Sequence, residues 1–333
     1  MMKFGFLTVP RWHLEETVGH YVSAEEKGFD YVWVADYANT RGMYSVLTMT
    51  ALKTKRIKFG PCVTNPFTRH PAITATSIAT LNELSGGRAV LGIGAGDEAL
   101  LNSLGITRKM PVASVREAVT VIRKIMCGEK VNFAGKAFNI SDFSLFYKPE
   151  RVAPIYVGAR GKLMLQLAGE IGDGVLMDLS HPLEVKLALD DVREGAKKAG
   201  RRMEDLNLAT SVIFSVGSDA EKAKDSVRWI VAMIASTVPQ SVLERHDIDI
   251  ESAKLLRGTL QKEGLEKAAG ATTEEMLEAF SISGSADYCI DVMEKLERNG
   301  LTQIVLCNVD AQSERVKEQL ELIDKSILPH FQK

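Results

Sequence analysis

The sequence predicts an α/β fold, a (β/α)8 or TIM barrel with insertions at the C-terminal face. Three observations indicate it: short apolar runs alternate with longer amphipathic segments, several of these segments close with glycine, and eight such repeats fit 333 residues. The runs are almost continuously apolar, as expected for parallel strands buried on both faces. A doubly wound sheet is the alternative, but it usually stops at about five to seven strands. The predicted strands are residues 4–9, 31–35, 57–63, 89–94, 155–158, 174–177, 208–216 and 303–307.

Two segments exceed the repeat. Residues 127–153 are predicted to form a small hairpin around Ala134-Gly135-Lys136. Residues 236–284 are predicted to form a helical insertion between the seventh strand and the last barrel helix. Insertions that follow strands lie at the C-terminal face, where they commonly shape the substrate pocket. Since no linker-like stretch interrupts the chain, residues 1–333 are predicted to form one domain.

Composition excludes several classes of partner. The formal net charge is −2, and the 41 basic and 43 acidic residues are interspersed. This argues against a nucleic acid or an anionic membrane as the main partner. No apolar run approaches the ~20 residues of a membrane span, and the N-terminal sequence lacks the pattern of a signal peptide. We therefore expect a cytoplasmic protein that acts on a small molecule.

No built-in reactive group stands out. The four cysteines are far apart and form no C-x-x-C pair, so zinc and a disulfide framework are not expected. The histidines lack the spacing of a metal site, and no G-x-S-x-G nucleophile motif occurs. The chemistry is therefore expected to come from a bound cofactor.

The stretch AVLGIGAGD, residues 89–97, first suggests a nucleotide clamp. A dinucleotide fingerprint is G-x-G-x-x-G, normally on the first strand, with an acidic residue about 20 positions later. Here the spacing is G-x-G-x-G and three strands precede it. A methyl-donor site and a plain structural glycine turn are the other readings. In a barrel the stretch becomes the end of strand four, with glycines that leave room for a flat ring and Asp97 at the C-terminal face.

Other polar residues follow strand ends in the same way. Asp36, Asp97 and Asp178 are predicted to converge on one mouth, with Arg41, Arg69 and Arg160 nearby. For any single aspartate the alternative is a helix N-cap or a solvated surface residue.

The stretch VGARGK, residues 157–162, opens the fifth helix of the repeat. Gly158 and Gly161 flank Arg160, and such a turn exposes backbone N–H groups at a positive helix end that suits a phosphate. An ordinary strand-to-helix turn remains equally open.

The longest quoted motif, GPCVTNPFTRHPAITATSIATLNELSGGRAVLGIGAGD, resembles the signature of the bacterial-luciferase-like superfamily. GFDYVWVADYANTRGMY, PIYVGARGKLMLQLAGEIGDG, IASTVPQSVLERH and LEAFSISGSADY also have counterparts at matching positions. Within the superfamily, the chain most resembles the coenzyme F420-dependent methylenetetrahydromethanopterin reductases. Members are (β/α)8 barrels that bind a flavin or the 5-deazaflavin F420 at the C-terminal mouth.

The resemblance implies a set of site residues. A non-prolyl cis peptide that backs the cofactor ring falls at Cys62-Val63, and Asp97 matches an acidic residue beside the reacting centre. Asp97 would carry a proton or stabilise a cation there. The matching cofactor contacts are Asp36, Thr64, Asn65, Gly158, Ala159, Arg160 and Gly161.

The chain departs from the family pattern at two positions. The reductases carry a glutamate near the end of strand one, where this chain has Leu7. Many deazaflavin relatives have a histidine after the aspartate of strand two, where this chain has Tyr37. Leucine cannot transfer a proton, and tyrosine, with a reference pKa of about 10, is a weak acid. The cofactor cradle is thus expected to be kept, with altered substrate-side chemistry in which Tyr37 and Asp97 take part.

The resemblance implies an F420-dependent oxidoreductase that transfers a hydride to or from a small organic substrate, with a methylenetetrahydromethanopterin-like compound as the candidate. The alternatives are an FMN-dependent monooxygenase of the same superfamily and a cofactor-binding member that has lost catalysis. Relatives associate through barrel helices, so a homodimer or homotetramer is expected.

Overall fold

The computed structural model describes residues 2–332 and contains eight parallel strands that follow one another around a barrel. All eight begin and end within two residues of the predicted bounds. Helices separate them along the chain, so the predicted (β/α)8 architecture is confirmed. The barrel strands are β1 (Lys3–Thr8), β2 (Tyr31–Val34), β3 (Lys58–Pro61), β4 (Leu91–Ile93), β7 (Ile155–Gly158), β8 (Gly174–Asp178), β9 (Asn207–Val216) and β11 (Gln303–Asn308).

The barrel has one seam. Paired strands run in the order β3-β2-β1-β11-β9-β8-β7-β4, and the ring closes between β3 and β4. Among residues 2–332, two isolated bridges make this closure, Phe59 with Ala89 and Thr64 with Ile93. All other neighbours share continuous parallel ladders, so β3 and β4 meet at the least regular point of the wall.

Helices surround the barrel and extend its C-terminal face. Within residues 2–332, none combines the length and apolar character needed to span a bilayer. The helices are α1 (Leu14–Glu26), α2 (Met43–Lys53), α3 (Pro71–Leu84), α4 (Glu98–Ser103), α5 (Pro111–Met126), α6 (Lys162–Ile171), α7 (Pro182–Lys198), α8 (Ala220–Ala235), α9 (Gln240–Arg245), α10 (Ile250–Lys262), α11 (Leu265–Gly270), α12 (Glu274–Phe280), α13 (Ala286–Arg298), α14 (Ser313–Leu322) and α15 (Leu328–Phe331).

Additional elements occupy both segments that exceed the repeat. Strands β5 (Val131–Ala134) and β6 (Asn139–Phe143) form an antiparallel hairpin after α5. After β9, helix α8 packs on α10, α11 and α12, so these helices form one group with α9 that we call the helical insertion. Strand β10 (Ile282–Gly284) then pairs with the end of β9 and returns the chain to the barrel.

Large aromatic side chains fill the lower part of the barrel. Tyr31 and Trp33 stack with ring centroids 5.8 Å apart, and Tyr156 meets Trp33 edge-on at 5.4 Å. The hydroxyls of Tyr31 and Tyr156 lie 3.3 Å apart. Since this end is filled by side chains, an open site is expected only at the opposite end, where the strands finish.

A buried carboxylate fixes the start of β3. Glu25, at the end of α1, is only 9% exposed. Its carboxylate accepts hydrogen bonds from the backbone N–H groups of Lys55, Arg56 and Ile57, the last at 2.8 Å. Burial opposes ionisation, but these donors prevail and lower the pKa of Glu25. The carboxylate therefore sets where β3 enters the wall.

Replacing Glu25 with alanine is expected to lower the free energy of unfolding by roughly 2–5 kcal/mol, because three backbone donors lose their acceptor in a buried place. Urea unfolding measures the loss. The neighbouring exposed Glu26→Ala is the matched control, expected within about 0.5 kcal/mol of the wild type. Because the pKa is lowered on folding, the stabilisation is complete above the ordinary glutamate value and is lost as pH falls through the folded value. Equal losses in both variants, or a Glu25 effect independent of pH, would contradict this role.

Candidate active site

The strand ends meet around Tyr37, just after β2. Although 44% of this residue is exposed, burial raises its pKa to about 12, assisted by Cys307, Asp178, Asp97 and Cys62. These residues come from the ends of β11, β8, β4 and β3, so the structure brings both Asp97 and Asp178 to one mouth with Tyr37. At neutral pH Tyr37 is a hydrogen-bond donor, not a base.

The peptide bond between Cys62 and Val63 is cis, where the resemblance placed it. Cys62 donates its N–H to the carbonyl of Val34 at 2.8 Å, and burial raises the pKa of its thiol. Val63 lies against Gly94 and Gly158, at the ends of β4 and β7. The bond thus sits where β3, β4 and β7 face one another, on an apolar surface suited to a flat ring.

The glycines of GIGAGD accommodate the end of β3. An added Cβ at Gly92 would lie 2.1 Å from the Pro61 carbonyl oxygen, and one at Gly94 would lie 2.9 Å from Val63 Cγ2. At Gly96, whose φ is +70°, it would lie 3.1 Å from Asn65. The expectation that these glycines leave room for a flat ring is therefore refined, because their open sides are filled by the last residue of β3 and by alternate residues of the segment that follows it. Because these positions are glycines, β3 and β4 approach closely at the seam. This close approach holds Cys62 and Val63, the apolar surface that we call the platform, against β4.

Asp97 caps a short helix. Its Oδ1 accepts a hydrogen bond from the N–H of Leu100 at 2.7 Å, at the start of α4. Arg108 donates to the carbonyl of Gly96 at 3.2 Å and pairs with Glu98 at 2.5 Å, which holds the loop before α5 against this turn. The N-cap alternative thus accounts for one oxygen of an exposed carboxylate that also raises the pKa of Tyr37. The role of Asp97 in proton transfer stays a prediction.

Asp36 lies in a polar group behind the mouth. Burial raises its pKa, and Thr64 and the Arg69 guanidinium act against that rise. The Thr64 hydroxyl is fully buried and lies close enough to Asp36 to act on its pKa. Among residues 2–332 it nevertheless has no partner within hydrogen-bonding distance and angle. Arg69 lies over the Tyr44 ring, 4.3 Å from its centroid. With Thr64, this stacked cation is one of the two groups that favour a charged Asp36.

Replacing Arg69 with methionine is expected to move the acid limb of the pH–activity profile to higher pH. Without the guanidinium the pKa of Asp36 rises further, so its carboxylate becomes protonated earlier as pH falls. The measurement is kcat/KM against pH. Arg69→Lys retains the charge and is expected to give the smaller shift. An unshifted acid limb in Arg69→Met would exclude this electrostatic coupling.

Asn65 serves the turn itself. Its Oδ1 accepts from the N–H groups of Phe67 and Thr68 at 3.0 and 2.9 Å, an arrangement that closes the loop after the cis peptide. Only 7% of the residue is exposed. The structure therefore places Asn65 in the support of the platform, and a direct cofactor contact stays a prediction.

The turn between β7 and α6 has the features of an anion site. Ala159 donates its N–H to the carbonyl of Leu176 at 3.0 Å, which fixes the turn to β8. Gly161 is the N-cap of α6 without a side-chain cap, and nothing lies within 4 Å of a Cβ added there. Within the described chain, the N–H groups of Arg160, Gly161, Lys162 and Leu163 make no hydrogen bond. Free N–H groups at a helix start, beside an arginine, fit a phosphate.

Asp178 restrains the arginine of this turn. Its carboxylate lies 3.7 Å from Arg160 Nη1, and both side chains are about half exposed. Asp178 also acts on Tyr37 and Cys307. It therefore links the anion-type turn to the centre of the mouth.

The two departures from the family pattern occupy different surroundings. Leu7 is 6% exposed and pairs in register with Cys307 of β11 and Trp33 of β2. Burial raises the pKa of Cys307 to about 12. The position near the end of strand one is thus apolar, whereas Tyr37 supplies a neutral hydroxyl group.

Sequence reasoning did not find the stack of Arg69 on Tyr44, nor the pairing of Arg160 with Asp178. Both connect residues on different repeats, and no local spacing signals them. Arg41, expected near the mouth, lies in the loop after β2, and its guanidinium donates to the carbonyl of Arg11 in the loop after β1. A place near the mouth stays a prediction for this residue.

A closed parallel barrel with convergent polar groups at its C-terminal mouth and apolar packing at the other end is the arrangement of a barrel enzyme. The chain belongs to the luciferase-like monooxygenase family, whose model matches residues 2–303. The predicted superfamily is thereby confirmed.

Several relatives match along nearly the whole chain. The 5,10-methylenetetrahydromethanopterin reductase of Archaeoglobus fulgidus is 41% identical over 98% of this chain and 99% of its own. That of Methanolobus tindarius is 40% identical over 98% of this chain and 100% of its own. The solved structure of the coenzyme F420-dependent tetrahydromethanopterin reductase from Methanopyrus kandleri superposes with a TM-score of 0.93, at 35% identity and 99% coverage of both chains.

Proposed function

We propose that this protein is a coenzyme F420-dependent oxidoreductase that transfers a hydride between the deazaflavin and a one-carbon unit on a tetrahydromethanopterin-like carrier. The full-length similarity to reductases of that name carries the proposal. The mouth supplies an apolar platform and an anion-type turn in one barrel, which is what a flat ring with a phosphate-bearing tail requires.

The residues present fit such a cofactor. The cis peptide at Cys62-Val63 offers the platform, and Gly161 begins a helix whose free N–H groups are open to solvent. Asp36 can accept a hydrogen bond from a ring N–H. When bound, F420 supplies or accepts a hydride at C5 of its ring.

The chain's own groups handle the proton. Reducing a methylene bridge to a methyl group requires a hydride at the carbon and a proton at the nitrogen whose C–N bond breaks. Asp97 is exposed at the mouth, and its carboxyl oxygen that does not cap α4 is the one available to relay that proton. Tyr37 stays protonated, because its pKa is about 12, and donates a hydrogen bond to the substrate.

The cofactor and the reaction are tested together. We expect the purified protein to bind F420 in a titration and to turn over reduced F420 with methylenetetrahydromethanopterin, followed spectrophotometrically. FMN is the matched comparison, expected to bind more weakly. Tight FMN binding without F420 binding, together with oxygen consumption in the presence of reduced FMN, would replace this function with that of a flavin monooxygenase.

The same family membership supports a homo-oligomer. Helices α2 and α3 adjoin and expose Leu52, Ile73 and Leu84 by 66%, 50% and 46%. Between the last two, the exposed face of α3 is mostly hydroxyl side chains such as Thr80. We propose that a second copy of the chain covers this weakly charged face. Light scattering should give a dimer or tetramer, and Ile73→Asp should shift it toward the monomer; a monomeric wild type would contradict this.

A further inference from the structure

The helical insertion shares its apolar core with the mouth. Leu7 and Cys307, at the ends of barrel strands, belong to the same packed cluster as Leu243, Ile248 and Leu256 of the insertion. The remaining barrel residues outside this cluster pack mainly on the outer helices. A shift of the insertion would therefore change the packing of the strand ends at the mouth.

One carboxylate joins the insertion to the barrel. Glu184 lies in the first turn of α7, and Arg245 ends α9. The guanidinium donates from Nε and Nη2 to the two oxygens of Glu184 at 2.7 and 2.8 Å. His246 Nε2 lies 3.2 Å from the same carboxylate. We call Glu184, Arg245 and His246 the Glu184 latch.

The latch is largely enclosed. The side chains of Glu184 and His246 are 13% and 6% exposed. Burial opposes ionisation, but hydrogen bonds from His246 and Arg245 lower the pKa of Glu184 to about 2. The ring of His181, the N-cap residue of α7, has its centroid 4.5 Å from the centroid of the His246 ring. The Arg245 side chain is 36% exposed, so the bidentate contact is partly buried. Such a contact, with His246 on the same carboxylate, fixes orientation more firmly than a fully exposed ion pair does.

The latch adjoins the working face of the barrel. It begins six residues after Asp178, the residue that pairs with Arg160. Between them, Ser180 Oγ donates to the carbonyl of Phe280 at 3.1 Å, a second link to the insertion. The segment after β8 is thus tied to the insertion at both of its ends.

We propose that Glu184 is a positioning residue that holds the helical insertion against the mouth and thereby sets how the substrate is seated. This rests on the proposed function, because the substrate is the one assigned there. The hydrogen-bond partners of Glu184 are Arg245 and His246, and not the platform after β3 or the anion-type turn after β7. We therefore expect the latch to act on the seating of the substrate and to leave cofactor affinity unchanged.

The test compares Glu184→Gln, Glu184→Ala and Arg245→Met with Glu194→Gln. Glu194 also lies on α7 and forms an ion pair, with Lys198 at 2.8 Å, but does not touch the insertion. Hydrogen exchange of α9 and α10 without ligand reports the latch itself. Steady-state kinetics give KM and kcat, and titration gives the F420 dissociation constant.

We expect exchange in α9 and α10 to quicken by about tenfold in the latch variants, and KM to rise on the order of tenfold with little change in kcat. F420 affinity and the Glu194→Gln control should match the wild type. Glu184→Ala and Arg245→Met combined should be no worse than either alone. Unchanged exchange would overturn the latch. Faster exchange with an unchanged KM would show that the latch only stabilises the insertion locally, and would overturn the positioning role. A wild type without turnover would instead contradict the proposed function, and this inference with it.

Discussion

Asp97→Asn is expected to lower kcat by about 10²–10⁴-fold, the usual contribution of a general acid or base. The amide retains an oxygen that can accept from Leu100 N–H, so α4 keeps its cap. The substitution removes only the ability to hold and release a proton. Stopped-flow measurement of the hydride step gives the effect, and urea unfolding shows whether the fold is retained.

Asp97→Ala separates the two roles of this residue. It should lose activity to the same extent and also lose about 1 kcal/mol of stability, because the cap disappears. Asp219 is the matched control, since it caps α8 by accepting a hydrogen bond from Lys222 N–H and is not among the groups that act on Tyr37. Asp219→Ala should lose stability and keep kcat. Full activity in Asp97→Asn would leave Asp97 a helix cap alone.

Gly92→Ala is expected to cost about 3 kcal/mol or more of folding free energy. The new methyl group would meet the Pro61 carbonyl oxygen at 2.1 Å and Leu176 Cδ1 at 2.9 Å. The first of these belongs to backbone, which cannot rotate away. F420 affinity should fall as well, because the displaced segment carries Cys62 and Val63.

Gly19→Ala is the matched control for that substitution. Gly19 lies in α1 with nothing within 4 Å of an added Cβ. Alanine there should raise the free energy of unfolding by about 0.5–1 kcal/mol, the difference in helix propensity. Thermal and urea unfolding of the two variants should move in opposite directions. A Gly92→Ala protein as stable as the wild type would disprove the close approach of β3 and β4.

Much of the fold could be predicted because each barrel strand is recognisable from its own short stretch of sequence. The runs around Trp33 and Val305 are apolar throughout, and glycine-terminated helices separate them. The mouth follows from topology, since the ends of parallel strands meet at one face. The cis peptide at Cys62-Val63 came from family resemblance, as nothing in its composition distinguishes it.

The contacts between repeats could not be predicted. Glu184 and Arg245 are 61 residues apart and pair only once α9 has folded back onto α7. The glycines at 92 and 94 look like a clamp when β4 is considered alone, and only the neighbouring strand explains them. Asp97 illustrates the middle case, because an aspartate before a helix is a familiar cap while its proximity to Tyr37 depends on four strand ends meeting.

The seam between β3 and β4 has a thermodynamic consequence. The platform residues after β3 and the glycines of β4 lie on opposite sides of it, so a molecule bound there touches both edges of the ring. Such a ligand binds the closed, folded barrel alone and therefore raises the free energy of unfolding, by about 2.7 kcal/mol at a concentration one hundred times its dissociation constant. The cofactor therefore contributes to the stability of the closed barrel, and the melting temperature should rise with the concentration of free cofactor.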